Sequence, residues 1–169
     1  MNKKNIHLLT QAAMIAALYV VLTFIANAFG LANYAVQVRF SEALTILPLF
    51  TPSAVPGLFL GCLISNILTG CALPDIVFGS AATLIGALGT RKLAKWFSQK
   101  SFPVNALFAA LPPILANTVI VPFVLRYAYG IRPLWLSFLT VGAGEVISCG
   151  ILGLLLACAL NRYRSRLFS

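Results

Sequence analysis

The chain has 169 residues, 60% of them hydrophobic and 9% charged, with a mean hydropathy of +0.96 and a formal net charge of +9. Soluble domains carry about 25% charged residues, so this composition excludes a soluble globular protein and points to an all-α integral membrane protein. The apolar runs are continuous and do not alternate with polar residues, which excludes a membrane barrel.

Six transmembrane helices are predicted, over 8–29, 41–50, 55–70, 75–93, 104–126 and 134–160. They form one domain over 1–169, with no repeat, low-complexity tract or linker. The first span follows Lys3 and Lys4 and is long enough to cross the hydrocarbon core. It reads as a retained span, since no short apolar stretch is followed by a small-residue cleavage site. Ala12 and Ala16, and likewise Ala13 and Ala17, stand four apart on it. Small residues at this spacing let helices approach closely in lipid. They fit either packing inside the bundle or docking of another membrane protein.

The second span is too short to cross unaided and is expected to tilt, extend or lean on its neighbours. Pro48, Pro52 and Pro56 bracket a tight connection to the third span, because each disfavours helix at the residue before it. The third span carries Gly57, Gly61, Ser65 and Thr69 on one stripe, and the fourth carries Gly79, Thr83, Gly86 and Thr90. Pro112-Pro113 is expected to bend the fifth span.

Lys3 and Lys4, then Arg91, Lys92, Lys95 and Lys100, then Arg162, Arg164 and Arg166 share one side of this topology, and Arg39, Arg126 and Arg132 take the other. The positive-inside rule puts both termini in the cytoplasm. Orientation and anionic membrane lipid account for the basic balance, so no nucleic-acid partner is implied.

Three acids exist, Glu42, Asp75 and Glu145, and all fall toward the outer side. Asn66 and Asn117 lie in the same half. Asn117 and Glu145 are roughly 15 Å deep at 1.5 Å per residue. An ionisable group inside a membrane marks a candidate site. The polar residues stop about halfway through the bilayer, which predicts a pocket open to the outside with no conduit behind it. Blander roles stand beside this. Glu42 can pair with Arg39 at i, i+3. Asp75, after Leu73-Pro74, suits an N-cap. Asn66 and Asn117 can join helices. Glu145, between Gly144 and Val146 in an apolar span, has no such structural role unless it pairs with Asn117 or Arg126. Trp96 and Trp135 suit the interfacial belts, as do Tyr34, Phe40, Tyr127 and Tyr129.

Cys62, Cys71, Cys149 and Cys158 form no CxxC pair, and His7 is the one histidine. The cysteines read as small apolar packers, with no metal or other cofactor expected. Without a catalytic constellation the chain is not expected to be an enzyme.

VRFSEALTILPLFTPSAVPGLFLGCLISNILTG (38–70) and DIVFGSAATLIGA (75–87) resemble the QueT family. The likeness runs through nearly the whole chain and is densest over 12–90; Ala81 departs from it, where a larger residue is expected. Members are substrate-binding S components of energy-coupling factor (ECF) transporters, associated with uptake of queuosine precursors. The resemblance implies a six-helix subunit that captures its solute outside. It implies docking through the first helix on a membrane scaffold subunit driven by two ATPase subunits, in the register Ala12/Ala16 or Ala13/Ala17. It also implies toppling in the bilayer to release the solute inward. Queuosine precursors carry a 7-deazaguanine ring whose edge offers two parallel donors to a carboxylate, and queuine and the aminomethyl form carry a basic amine. Glu42 and Glu145 are expected to divide these two groups, in an order left open. Arg39 would orient Glu42 or stack on the ring, and Asn66 and Asn117 would bond its remaining edge. The alternatives are an S component for a different vitamin, or a small standalone secondary transporter, against which the lack of inverted repeats counts.

Overall fold

A computed structural model describes residues 3–30 and 38–163. Tyr34, Arg164 and Arg166 lie outside the described residues. The chain forms α1 (Lys3–Ala28), a 3-10 helix (Phe40–Leu49), α2 (Ala54–Leu68), α3 (Leu73–Trp96), α4 (Phe102–Ala128), α5 (Leu134–Glu145), a π-helical segment (Val146–Leu152) and α6 (Gly153–Asn161). The last three run on as one rod, Leu134–Asn161. Helices suit so apolar a chain because each satisfies its own backbone in lipid.

Among the described residues, four helices are long and apolar enough to cross a membrane: α1, α3, α4 and the 134–161 rod. The 3-10 helix and α2 are apolar but shorter. The segment expected as the second span is helical, but as a short 3-10 helix that is not among the four. At the 3-10 rise, its ten residues reach about 20 Å, where an α-helix would reach about 15 Å. It is the hub of the bundle, touching α1, α2, α3, α4, the π segment and α6, and burying all but Phe40 and Ala43. Pro48 lies inside it and not in the following turn. Arg91 of α3 fastens its far end, donating to the Pro48 carbonyl at 3.0 Å.

Small residues set the closest helix contacts. A Cβ on Gly57 would lie 2.7 Å from the Ala12 carbonyl oxygen, and one on Gly61 would lie 2.7 Å from Tyr19 Cβ, so α1 is seated directly on the α2 stripe. Gly86 of α3 meets Pro113 of α4 in the same way, at 2.7 Å from its Cα. Pro112 and Pro113 lie inside one uninterrupted α4, and they supply the surface that this α3 stripe covers.

α1, α2 and α4 each run out to a glycine with positive φ, Gly30, Gly70 and Gly130, all at one end of the bundle. A left-handed residue closes a helix C-terminus, and glycine adopts it without a steric penalty. The half toward the opposite end is filled by small apolar residues: Ala94, Ala106, Ala109, Ala110 and Ala157 pack around Ile46, Leu49 and Phe50. Several of its polar groups are paired. Gln11 accepts from Thr51 and Ser53, and Thr90 donates to the Ala109 carbonyl. The outside is apolar, as a lipid-facing surface must be; Leu9, Met14, Leu18 and Val21 of α1 are all at least half exposed. Trp96 and Trp135 are exposed near helix ends.

Candidate functional site

The buried carboxylates lie in the half nearer the glycine-capped end. Glu42 opens the central 3-10 helix, and Glu145 is the last residue of α5, where the helix widens into the π segment. Both are buried, 2% and 6% exposed. π turns inside α-helices recur at functional sites, and this one begins beside the deepest charge of the rod.

Glu42 is gripped at both oxygens. The Tyr19 hydroxyl of α1 donates to Oε1 in a short hydrogen bond, and the Asn117 amide of α4 donates to Oε2 at 3.4 Å. Thr45, one 3-10 turn on, bonds the Glu42 carbonyl at 2.6 Å and also reaches Cys149 Sγ at 3.3 Å. The Cys149 thiol lies 3.1 Å from Glu145 Oε2. Donor atoms of Glu42, Glu145 and Cys149 all fall within 4.8 Å of one another. The alternative in which Glu42 pairs with Arg39 is not what is seen: among the described residues, no Lys or Arg makes an ion pair with either glutamate, and Tyr19 and Asn117 hold Glu42 instead.

A second group forms the rim. Tyr129, just past α4, donates to Asp75 Oδ2 at 3.1 Å and accepts from the Ala72 backbone N–H at 3.0 Å. Burial and the neighbouring Asp75 carboxylate push its phenol up to about 12. Asp75 is therefore not the N-cap that its sequence context suggested. Ala72 holds that position, and the Asp75 side chain bonds across to Tyr129. Asn66 joins the rim to the deeper site, donating to the Asp75 carbonyl at 3.4 Å and reaching Cys62 Sγ at 3.6 Å. Arg39, half-buried, lies within electrostatic reach of Asp75 first, and also of Tyr19, Cys62 and Glu42.

All five residues singled out for binding thus stand in one neighbourhood, together with all three acids of the chain. With Arg39 the cation in reach, the group carries a formal excess of negative charge. Cys62 and Cys149 do more than fill space, since both contact its polar side chains. Each Glu42 oxygen keeps a lone pair beyond the bonds from Tyr19 and Asn117, so the cluster of Glu42, Glu145 and Cys149 still has acceptor capacity toward a cation. An apolar cavity of about 270 Å³ opens elsewhere, on the flank of α3 and α4 between Phe78, Phe123 and Tyr127, and no site residue lines it.

Tyr19, Cys149 and Thr45 escaped the sequence reading. Cys149 and Thr45 were within reach of it, at i+4 from Glu145 and i+3 from Glu42. Tyr19 sits in an apolar run whose periodicity says only that one face packs. Of the two alanine pairs on α1, Ala12 and Ala16 face α2, packed over Gly57 and Gly61, whereas Ala13 and Ala17 are exposed.

A family model described as QueT transporter matches residues 9–162. A curated relative named queuosine precursor transporter QueT, from Lactococcus lactis subsp. cremoris, is 31% identical over 85 residues. That alignment covers 50% of this chain and 50% of the relative, so the chain is matched over only half the relative's length. No solved structure matches.

Proposed function

Since the chain belongs to the QueT transporter family and is a multi-pass plasma membrane transport protein rather than an enzyme, we propose that it is the binding subunit of an ATP-driven importer and captures a queuosine precursor of the 7-deazaguanine type. The observation that carries this reading is the convergence of Arg39, Glu42, Asn66, Asn117 and Glu145 in one half of an otherwise apolar bundle. Buried carboxylates in excess over cations favour a ligand that is both rich in N–H donors and positively charged. An amine-bearing deazaguanine has both properties. In the opposite half, among the described residues, the core is alanine and larger apolar side chains with a few hydrogen-bonded hydroxyls and no carboxylate. A solute bound in this way has no polar route onward, so release needs motion of the whole subunit against a partner.

Both termini then lie in the cytoplasm, by the cation distribution, and the site faces outward. Ala13 and Ala17, left free by the seating of α1 on α2, are the residues for docking a membrane scaffold subunit driven by two ATPase subunits. Close approach needs small side chains at four-residue spacing. Uptake of labelled precursor by cells, with and without the ATPases, tests this reading. The proposal expects uptake to stop when the ATPases are removed and the ATPases to co-purify with the chain. Uptake that persists without them would favour the standalone secondary transporter.

A further inference from the structure

We infer that Glu42 and Glu145 do not divide the ligand between them but together form a single seat for its ammonium group, leaving the ring edge to the rim; this rests on the reading above. The argument is one of distance. Oxygens of the two carboxylates stand within 4.8 Å of one another. A charged N–H···O bond is about 2.8 Å, so one tetrahedral nitrogen bonded to two carboxylates holds their oxygens about 4.6 Å apart. The two carboxylates thus lie close enough for one nitrogen to reach an oxygen of each. A deazaguanine with a basic arm presents its ring donors and its amine at different edges, and once hydrogen bonds are added the acceptors serving both ends stand about 8 Å apart. The paired glutamates are too close for that division and right for one nitrogen.

The surroundings agree. Two carboxylates this near in a low-dielectric interior repel each other strongly and call for a positive charge between them. Among the described residues no lysine or arginine forms an ion pair with either. Tyr19 and Asn117 fix Glu42 from α1 and α4, so one wall of the seat is rigid before the ligand arrives. Glu145 is held at Oε2 by the Cys149 thiol, a weak donor, and interacts with the Asn117 amide as well. An ammonium suits this arrangement because it is a compact charge with three rotatable donors and makes no planar demand. The planar ring edge then lies toward Asp75, Asn66 and Arg39, where carboxylate, amide and guanidinium are grouped at the rim.

The test is calorimetric binding of aminomethyl-deazaguanine and of the amine-free ring, 7-deazaguanine, to wild type, Glu42→Gln, Glu145→Gln and the double variant. The inference expects each single variant to lose at least tenfold affinity for the amine-bearing ligand. The double variant should be little worse than either single one, because half a seat is no seat. Binding of the amine-free ring should stay within threefold throughout, which also shows that the variants are folded. If either variant weakens the amine-free ring as much as the aminomethyl compound, that glutamate reads the ring and the single-seat inference is wrong. If the two losses add in full, the glutamates act separately and it is equally wrong. Both outcomes leave the proposed function standing. Failure of wild type to bind any deazaguanine removes the proposed function, and the inference falls with it.

Discussion

Substituting Gly61 by alanine tests whether packing of α1 governs the site. An added Cβ would lie 2.7 Å from Tyr19 Cβ and 3.1 Å from Ala16 Cα. Carbon atoms pack at about 3.5–4.0 Å, so α1 must retreat by about 1 Å. Overpacking of this kind costs about 1–3 kcal/mol. The same displacement carries the Tyr19 hydroxyl away from Glu42 and breaks a hydrogen bond to a buried carboxylate, adding about 1.5–3 kcal/mol. Gly57→Ala is the control, because its Cβ would meet the Ala12 carbonyl oxygen at 2.7 Å, two turns from Tyr19. It should incur mainly the packing cost. Equilibrium unfolding of the purified protein in detergent measures both, in wild-type and Tyr19→Phe backgrounds. Gly61→Ala should be more damaging than Gly57→Ala in the wild type by about the value of the hydrogen bond, and the gap should close when Tyr19 is already Phe. Equal costs in the wild type, or a gap that survives Tyr19→Phe, would refute the link from α1 packing to Glu42.

Tyr19→Phe alone removes a donor and leaves the ring packed, so it should destabilise the empty protein by about 1.5–3 kcal/mol, with less loss when an ammonium ligand occupies the freed lone pair; denaturation with and without ligand separates the two. The Tyr129 contact to Asp75 should contribute stability below about pH 10 and lose it as pH rises through about 12, because the folded phenol is held above its ordinary value of 10.0. Titrated melting of wild type against Tyr129→Phe should therefore differ by a constant amount at pH 7–10 and converge above that range. Ala13→Leu and Ala17→Leu should preserve ligand binding and abolish co-purification of the ATPases. Ala12→Leu should instead destabilise the fold, since Ala12 is 8% exposed against α2; pull-down and melting of the three variants distinguish the roles.

The helices were legible in the sequence because lipid imposes one pattern, a long apolar run per span, and the glycine stripes at 57/61 and 79/86 already marked close contact. The acids were legible because each is an exception to that pattern. The local geometry was less so. Nothing in FSEALTILPL distinguishes a 3-10 from an α-helix; the stretched form follows from its place at the centre of the bundle, touching six other elements. The π segment after Glu145 is likewise a tertiary outcome. Asp75 looked like a cap because Pro74 precedes it, but Tyr129, 54 residues away, offered a better partner. Tyr19 was hidden for the reverse reason, a polar tip on a ring that reads as apolar. Which alanine pair packs inside the bundle depended on which α1 face meets α2, which one sequence does not encode by spacing alone.

The most direct test of the central claim is calorimetric binding of queuine and of the aminomethyl and cyano deazaguanines to the purified protein in detergent, with riboflavin, thiamine and biotin alongside. The account predicts tight binding of the two amine-bearing deazaguanines, weaker binding of the cyano form and none of the vitamins. Binding of a vitamin with no response to any deazaguanine would contradict it.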